Sequence, residues 1–294
     1  MYIAAFKKWQ VWASKHALVR ELPASPQHVA LYLVFLSNTA TSFSTIKLAA
    51  SSIAWAHSIA GFSSPTIHSL VAETLAGLKF RLARPKLPKE PFTVGQINSL
   101  MAQRIVTCLT DTRNVCLISL AFFGFFRFSE ITRIKVNHLK FFVSHVEITI
   151  EKSKCDQLRL GNVVVISRLG THCPVSLLES YMELANSAST PTFYLFRRVV
   201  VKQSNKLLHE NNLPLSYGST RDIVKSKATS LGLNPQCFGT HSMRAGGSSA
   251  AANNGVADRI FQRHGRWSSV AAKDGYIKDS LKSRLSVTQM IGHA

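Results

Sequence analysis

Between residues 79 and 91 the sequence sets Lys79, Arg81, Arg84, Lys86 and Lys89 among Pro85, Pro88 and Pro91. Each proline removes an amide donor and fixes φ, and closely spaced cations repel, so this stretch predicts a stiff, basic, poorly helical connector. The chain therefore reads as two folding units, 1–88 and 89–294. In the first, Tyr2, Ala5, Phe6, Trp9, Trp12 and Ala13 recur at spacings of three and four, which marks an amphipathic helix. Pro23, Ser25 and Pro26 interrupt it, and further helices are expected over 28–36, 42–58 and 64–77. Residues 1–88 read as a small all-helical unit.

Beyond the connector the periodicity changes. Thr93 is placed to cap a helix running to Met101, and the apolar run 115–126 predicts a buried helix. The β-branched stretches 143–150 (VSHVEITI) and 163–167 (VVVIS) flank a polar, basic segment, as strands flank a hairpin loop. Helical patterns then resume over 176–188, 219–231, 244–253, 257–264 and 270–285. The expected fold class is mainly α with a small β-sheet: a helical unit followed by an α+β unit.

Composition narrows the function. Lys and Arg number 35 against 15 Asp and Glu, for a net charge of +20 and a pI near 10.2. Residues 1–91 carry ten basic and three acidic side chains, leaving +13 for the remainder, so the charge belongs to both units. That balance points to a polyanion, and nucleic acid is the natural one. With 46% hydrophobic and 17% charged residues the chain can bury a core and is not disordered. Its apolar runs are far shorter than the ~20 residues of a membrane span, and no secretory signal opens it. Cys108, Cys116, Cys155, Cys173 and Cys237 form neither a C-x-x-C pair nor a zinc-ligand pattern, which suits reduced thiols and no metal site. The expectation is an intracellular protein found with DNA, in nucleoid or nucleus, neither secreted nor membrane-bound.

Four separated pieces place cations beside a phenol. Gly124-Phe125-Phe126-Arg127-Phe128-Ser129-Glu130 ends an apolar run with one arginine, which needs Glu130 or an anionic ligand if it is buried. His241-Ser242-Met243-Arg244 puts an imidazole and a guanidinium on one helix face. Gly265-Arg266-Trp267-Ser268-Ser269 follows, and Gly275-Tyr276-Ile277 carries a phenol nine residues after Trp267. Taken singly, these read as an ion pair, a common spacing, a packed tryptophan and a core tyrosine.

In this order the pieces resemble the tyrosine recombinase, or phage integrase, family, over roughly residues 92–285. The first box is similar to the family's G-x-R-x-S-E with one additional residue before the arginine, and Trp267 stands where members carry histidine or tryptophan. The resemblance implies catalytic roles for Arg127, His241, Arg244, Trp267 and Tyr276, with Glu130 as structural support. The family's lysine lies in a β-hairpin; Lys154 is the preferred match in the segment 151–157, with Lys152 as the alternative and otherwise a DNA contact. The first ninety residues are similar to the family's core-binding domain, and the connector cations Lys79, Arg81, Arg84, Lys86 and Lys89 would touch DNA phosphates.

The implied activity is site-specific cleavage and rejoining of double-stranded DNA through a 3′-phosphotyrosine, with neither metal, cofactor nor ATP. The implied assembly is a homotetramer on DNA, in which residues 277–294 dock on a neighbouring protomer. Rival readings are a noncatalytic DNA-binding remnant of a mobile-element recombinase and a type IB topoisomerase-like relaxing activity.

Overall fold

The computed structural model describes residues 1–84, 89–151, 161–202 and 205–292. The chain divides into two compact units, Met1–Leu87 and Pro88–Ala294.

The first unit consists of α1 (Tyr2–Ala13), α2 (Pro26–Ser37), α3 (Phe43–Ile59) and α4 (Ser69–Arg81). Ser25 starts α2 by accepting the His28 amide on its hydroxyl at 3.2 Å, with Pro26 in the first helical position, where its missing N–H costs nothing. The apolar faces converge on Trp9, Val29, Leu33, Ile46, Ile53 and Val71, all fully buried. His57 is buried with them. Its Nε2 accepts from the Ala24 amide at 2.9 Å, so Nδ1 carries the proton and donates to the Ile53 carbonyl at 2.8 Å.

Helix α4 corrects the expectation of a poorly helical connector from residue 79. Lys79 and Arg81 form its last turn, because no proline intervenes before Pro85 and cations are favoured at a helix C-terminus. Arg81 Nη2 also donates to Ser37 Oγ at 2.5 Å.

The second unit runs α5 (Val94–Ala102), α6 (Leu109–Phe123), α7 (Phe128–Ile131), β1 (Leu139–Phe141), β2 (His145–Ile150), β3 (Asn162–Ser167) and α8 (Pro174–Leu184). It continues with β4 (Val199–Lys202), β5 (Asn205–Leu208), α9 (Tyr217–Ser230), α10 (Ser242–Asn253), α11 (Asp258–Gly265), α12 (Val270–Asp274) and α13 (Leu281–Gly292). Thr93 closes a capping box with Gln96 at the start of α5. The strands β1, β2 and β3 form an antiparallel sheet in that order, with Val146 opposite Ile166 and Ile148 opposite Val164. These four side chains are buried, so the sheet's apolar face joins the core around α6. Two features are added to the expected pattern: the three-residue β1, and the β4–β5 pair.

Helix α10 lies against α6 without room for side chains at the crossing. A Cβ added at Gly247 would sit 2.0 Å from the Phe122 carbonyl oxygen, and one at Gly246 would sit 2.1 Å from that of Phe92. Gly247→Ala is expected to push α10 off α6 and cost ~1–3 kcal/mol by overpacking. It should lower Tm in a thermal melt and displace Arg244 on the same helix; an unchanged Tm would show that the crossing is softer than this geometry implies.

The helix expected over 270–285 is broken. α12 ends at Asp274 and α13 begins at Leu281, because α10 captures the intervening backbone. Ser249 Oγ accepts from the Lys278 amide at 2.8 Å and donates to the Tyr276 carbonyl at 3.4 Å. Asn253 Nδ2 donates to the Lys278 carbonyl at 3.0 Å, and its Oδ1 accepts from the Ser280 amide at 2.9 Å. Among the described residues, no helix is long and apolar enough to cross a membrane.

Candidate active site

The buried helix expected over 115–126 stops at Phe123, and the reason shapes the site. Phe125 takes φ 47°, the left-handed conformation that terminates helices. This turn absorbs the additional residue of the first box, and the Phe125 carbonyl accepts from Arg244 Nη1 and, at 3.0 Å, from Arg266 Nη2. Two residues on, Arg127 immediately precedes α7, which carries Glu130.

Glu130 is the site's carboxylate and its side chain is fully buried. Oε1 accepts from Arg127 Nη1 at 2.7 Å, and Oε2 accepts from the Arg127 amide at 2.9 Å and from Arg266 Nη2 at 2.8 Å. Arg244 Nη1 stands 3.9 Å from Oε2. Burial alone would raise the Glu130 pKa, but the guanidiniums and the Arg127 amide outweigh it and hold the carboxyl below its ordinary range.

Arg244 lies in the first turn of α10, three residues after His241, and is wholly buried. Besides the Phe125 carbonyl it donates to that of Gly265 through Nη2 at 2.5 Å. Its guanidinium lies 4.4 Å from the Trp267 ring centroid and 5.0 Å from that of Tyr276, a cation against two π faces. Burial, with Arg127 and Arg266 nearby, lowers its pKa to about 9, so it remains charged at neutral pH.

Helix α11 ends in a second left-handed residue, Arg266 at φ 55°. Gly265 is dictated by Trp267, since a Cβ there would lie 1.6 Å from the indole ring. Trp267 packs on Phe261 at 5.2 Å and faces Tyr276 at 5.9 Å between centroids. Its indole Nε1 is buried and has no hydrogen-bond partner among the described residues. Nearby, His264 donates through Nε2 to the Phe123 carbonyl at 2.8 Å, and burial lowers its pKa. It is a neutral structural imidazole.

Tyr276 follows α12 on the segment held by Ser249 and Asn253. Its hydroxyl is 3.5 Å from Nδ1 of the exposed His241. Arg127, Glu130, His241, Arg244, Trp267 and Tyr276, scattered over 150 positions of sequence, thus form one cluster. Lys154, Lys152 and Lys86 lie outside the described residues. Lys79, Arg81, Arg84 and Lys89 are exposed, and Lys89 Nζ donates to the Gln236 carbonyl.

Sequence reasoning missed Arg266, Ser249 and Asn253. A charge wedged between Gly265 and Trp267 was the available signal for the first; nothing in the sequence marked the others. Three guanidiniums around one carboxylate leave a positive excess beside a phenol and an imidazole, a setting suited to a phosphodiester under nucleophilic attack.

The sequence profile of the phage integrase family matches residues 91–282. The integrase/recombinase xerD homolog of Selenomonas ruminantium is 27% identical over 282 residues, spanning 94% of this chain and 80% of its own. Recombinase cre of Escherichia phage P1 is 23% identical over 291 residues, 95% of this chain and 83% of its own. In fold, the chain is similar to XerH site-specific recombinase bound to palindromic difH substrate in a post-cleavage complex. That alignment has a TM-score of 0.60 at 14% identity and covers 98% of this chain and 76% of the other. Cluster, profile and fold agree: this chain belongs to the phage integrase family of tyrosine recombinases.

Proposed function

We propose that this protein is a site-specific DNA recombinase that cuts and rejoins strands through Tyr276. The observation that carries the reading is the phenol of Tyr276, set 3.5 Å from the His241 imidazole and against the buried Arg244 guanidinium. In this reading Tyr276 Oη attacks phosphorus, its proton leaves to His241, and the bond from phosphorus to the 5′ oxygen breaks. The departing 5′ oxygen takes a proton from Lys154, the family's lysine by resemblance. The 3′-phosphotyrosine keeps the phosphoester energy, so attack by a 5′ hydroxyl reverses the step.

Arg127 and Arg244 supply the positive charge that the transition state needs on its nonbridging oxygens, an effect worth roughly 10³–10⁵ in rate where arginines serve phosphoryl transfer. The unspent indole N–H of Trp267 is a further donor for the same oxygens.

The partner is double-stranded DNA. The helical first unit, with Lys79, Arg81 and Arg84 exposed, serves as a second DNA-binding arm whose phosphate contacts, with those of Lys89 at the start of the second unit, give affinity without sequence readout. Assembly is a homotetramer in which α13 docks on a neighbouring protomer. Its Leu281, Val287, Met290 and Ile291 are exposed, and none of its residues is buried, which leaves an apolar helix for a partner to cover.

The test incubates the protein with nicked duplexes carrying candidate target sites, stops with SDS, and maps the DNA-linked peptide by mass spectrometry. An adduct on the peptide containing Tyr276 is expected. Tight binding to an authentic site with no adduct would instead support a noncatalytic DNA-binding remnant.

A further inference from the structure

Arg266 was not among the residues expected to act, yet it occupies the middle of the site. Its φ of 55° suits glycine and strains other residues, so the side chain must account for its presence there. Although the residue is only 7% exposed, the guanidinium finds acceptors on several sides. Nη2 donates to Glu130 Oε2 at 2.8 Å and to the Phe125 carbonyl at 3.0 Å; Nη1 donates to the carbonyls of His264 at 2.7 Å and Gly124 at 3.2 Å. Two of these acceptors are the groups that orient the other arginines. Glu130 also holds Arg127, and the Phe125 carbonyl also receives Arg244.

We propose that Arg266 is a positioning residue for strand cleavage, fixing Glu130 and the Phe125 carbonyl so that Arg127 and Arg244 stay aimed at the scissile phosphate. The inference rests on the recombinase reading above. Arg127 reaches both oxygens, through Nη1 and its backbone amide, and Arg266 adds a second guanidinium on Oε2, so the carboxylate is also fixed from a distant part of the chain. The Phe125 carbonyl, turned inward by its own left-handed residue, is locked between two guanidiniums in the same way. Arg266 thus bonds directly to both sides of the clamp, which Arg244 also links at 3.9 Å from Glu130 Oε2.

Glycine adopts the backbone of position 266 without strain, so Arg266→Gly can remove the guanidinium and keep the turn. Wild type, Arg266→Gly, Arg266→Lys and Tyr276→Phe are compared on the same nicked duplex, reading DNA affinity by titration, adduct formation in a single turnover, and Tm. Arg266→Gly is expected to bind DNA as wild type does and form adduct roughly 10- to 100-fold more slowly, the range for outer partners of functional groups. Arg266→Lys should recover part of the rate. Combined with Glu130→Gln, Arg266→Gly should add little further loss, because the two act in one chain of contacts. Adduct formation by Arg266→Gly at the wild-type rate would overturn the inference. Some loss of Tm is expected because a buried ion pair is broken; a fall in DNA affinity that matches the fall in rate in both variants would also overturn the inference, as the signature of a merely structural residue. If wild type binds an authentic site and yields no adduct, the recombinase reading falls and this inference with it.

Discussion

With Tyr276 replaced by phenylalanine, the protein is expected to bind its DNA site with unchanged affinity and to form no covalent adduct. The substitution removes one oxygen. The ring contacts remain, with Trp267 at 5.9 Å and the Arg244 guanidinium at 5.0 Å. The lost contact to His241 is 3.5 Å long, at the outer limit of a hydrogen bond, so stability should change by less than ~1 kcal/mol. Among the described residues, neither Tyr181 nor Tyr217 is placed to substitute. Tyr181 is wholly buried, donates to the Leu195 carbonyl at 2.6 Å and has its pKa raised by burial. Tyr217 is exposed, and its ring contact is to Phe128, edge-on at 5.3 Å. Electrophoresis after SDS, with affinity measured in parallel, checks the outcome. A residual adduct mapped to Tyr217 would show that the nucleophile has been misassigned.

Glu130→Gln should produce the largest loss of stability in the second unit. The amide keeps the shape of the side chain but leaves Arg127, Arg244 and Arg266 facing one another without the carboxylate that touches two of them at 2.7–2.8 Å and lies 3.9 Å from the third. Breaking a buried ion pair from one side typically costs ~3–5 kcal/mol, on the order of 10 °C in Tm for a unit of this size. DNA offers a replacement anion, so a bound target duplex should raise the variant's Tm by more than it raises that of wild type.

The pH dependence follows from the same group. Its folded pKa lies below the ordinary carboxylate value of 4.5. The ionised form therefore contributes its stability fully above that value and loses it as pH falls through the lower folded pKa. The glutamine variant should lack this part of the acid transition. Calorimetry between pH 3 and 7 tests both points, and an unchanged Tm would mean that Glu130 is not the counter-ion of the cluster.

Much of this architecture was written in residue order. The alternating Val146, Ile148 and Ile150 could only face a core as a strand, and Thr93 announced the start of α5, whereas Ser25 and Pro26, read as an interruption, turn out to start α2. Tyr276 and Trp267 were recognisable by their spacing, and His241 and Arg244 by theirs. Features made by distant partners stayed hidden. β1 has three residues and exists because β2 pairs with it; α12 ends where Ser249 and Asn253, more than twenty positions earlier, take over its hydrogen bonds. Arg266 was hidden differently. Its position is that of a turn residue, and its importance depends on Glu130 and Phe125, some 140 positions away and visible only once α6 and α11 are side by side.

The way Tyr276 is fastened bears on its motion. Between α12 and α13 the backbone is held to α10 by two side chains, through four hydrogen bonds at Tyr276, Lys278 and Ser280. At ~1 kcal/mol net apiece these amount to about 4 kcal/mol, less than the 5–15 kcal/mol that commonly separates folded from unfolded chains. Tyr276 and Ile277 add packing against Phe125, Phe261 and Trp267, and a sub-global opening of this segment with α6 and α10 still folded is the expected motion. In amide hydrogen exchange, the protons of Lys278 and Ser280 should be replaced by deuterium well before those of α6 and α10. The proposed nucleophile would thus be the loosest part of a site whose charges are its most rigid part.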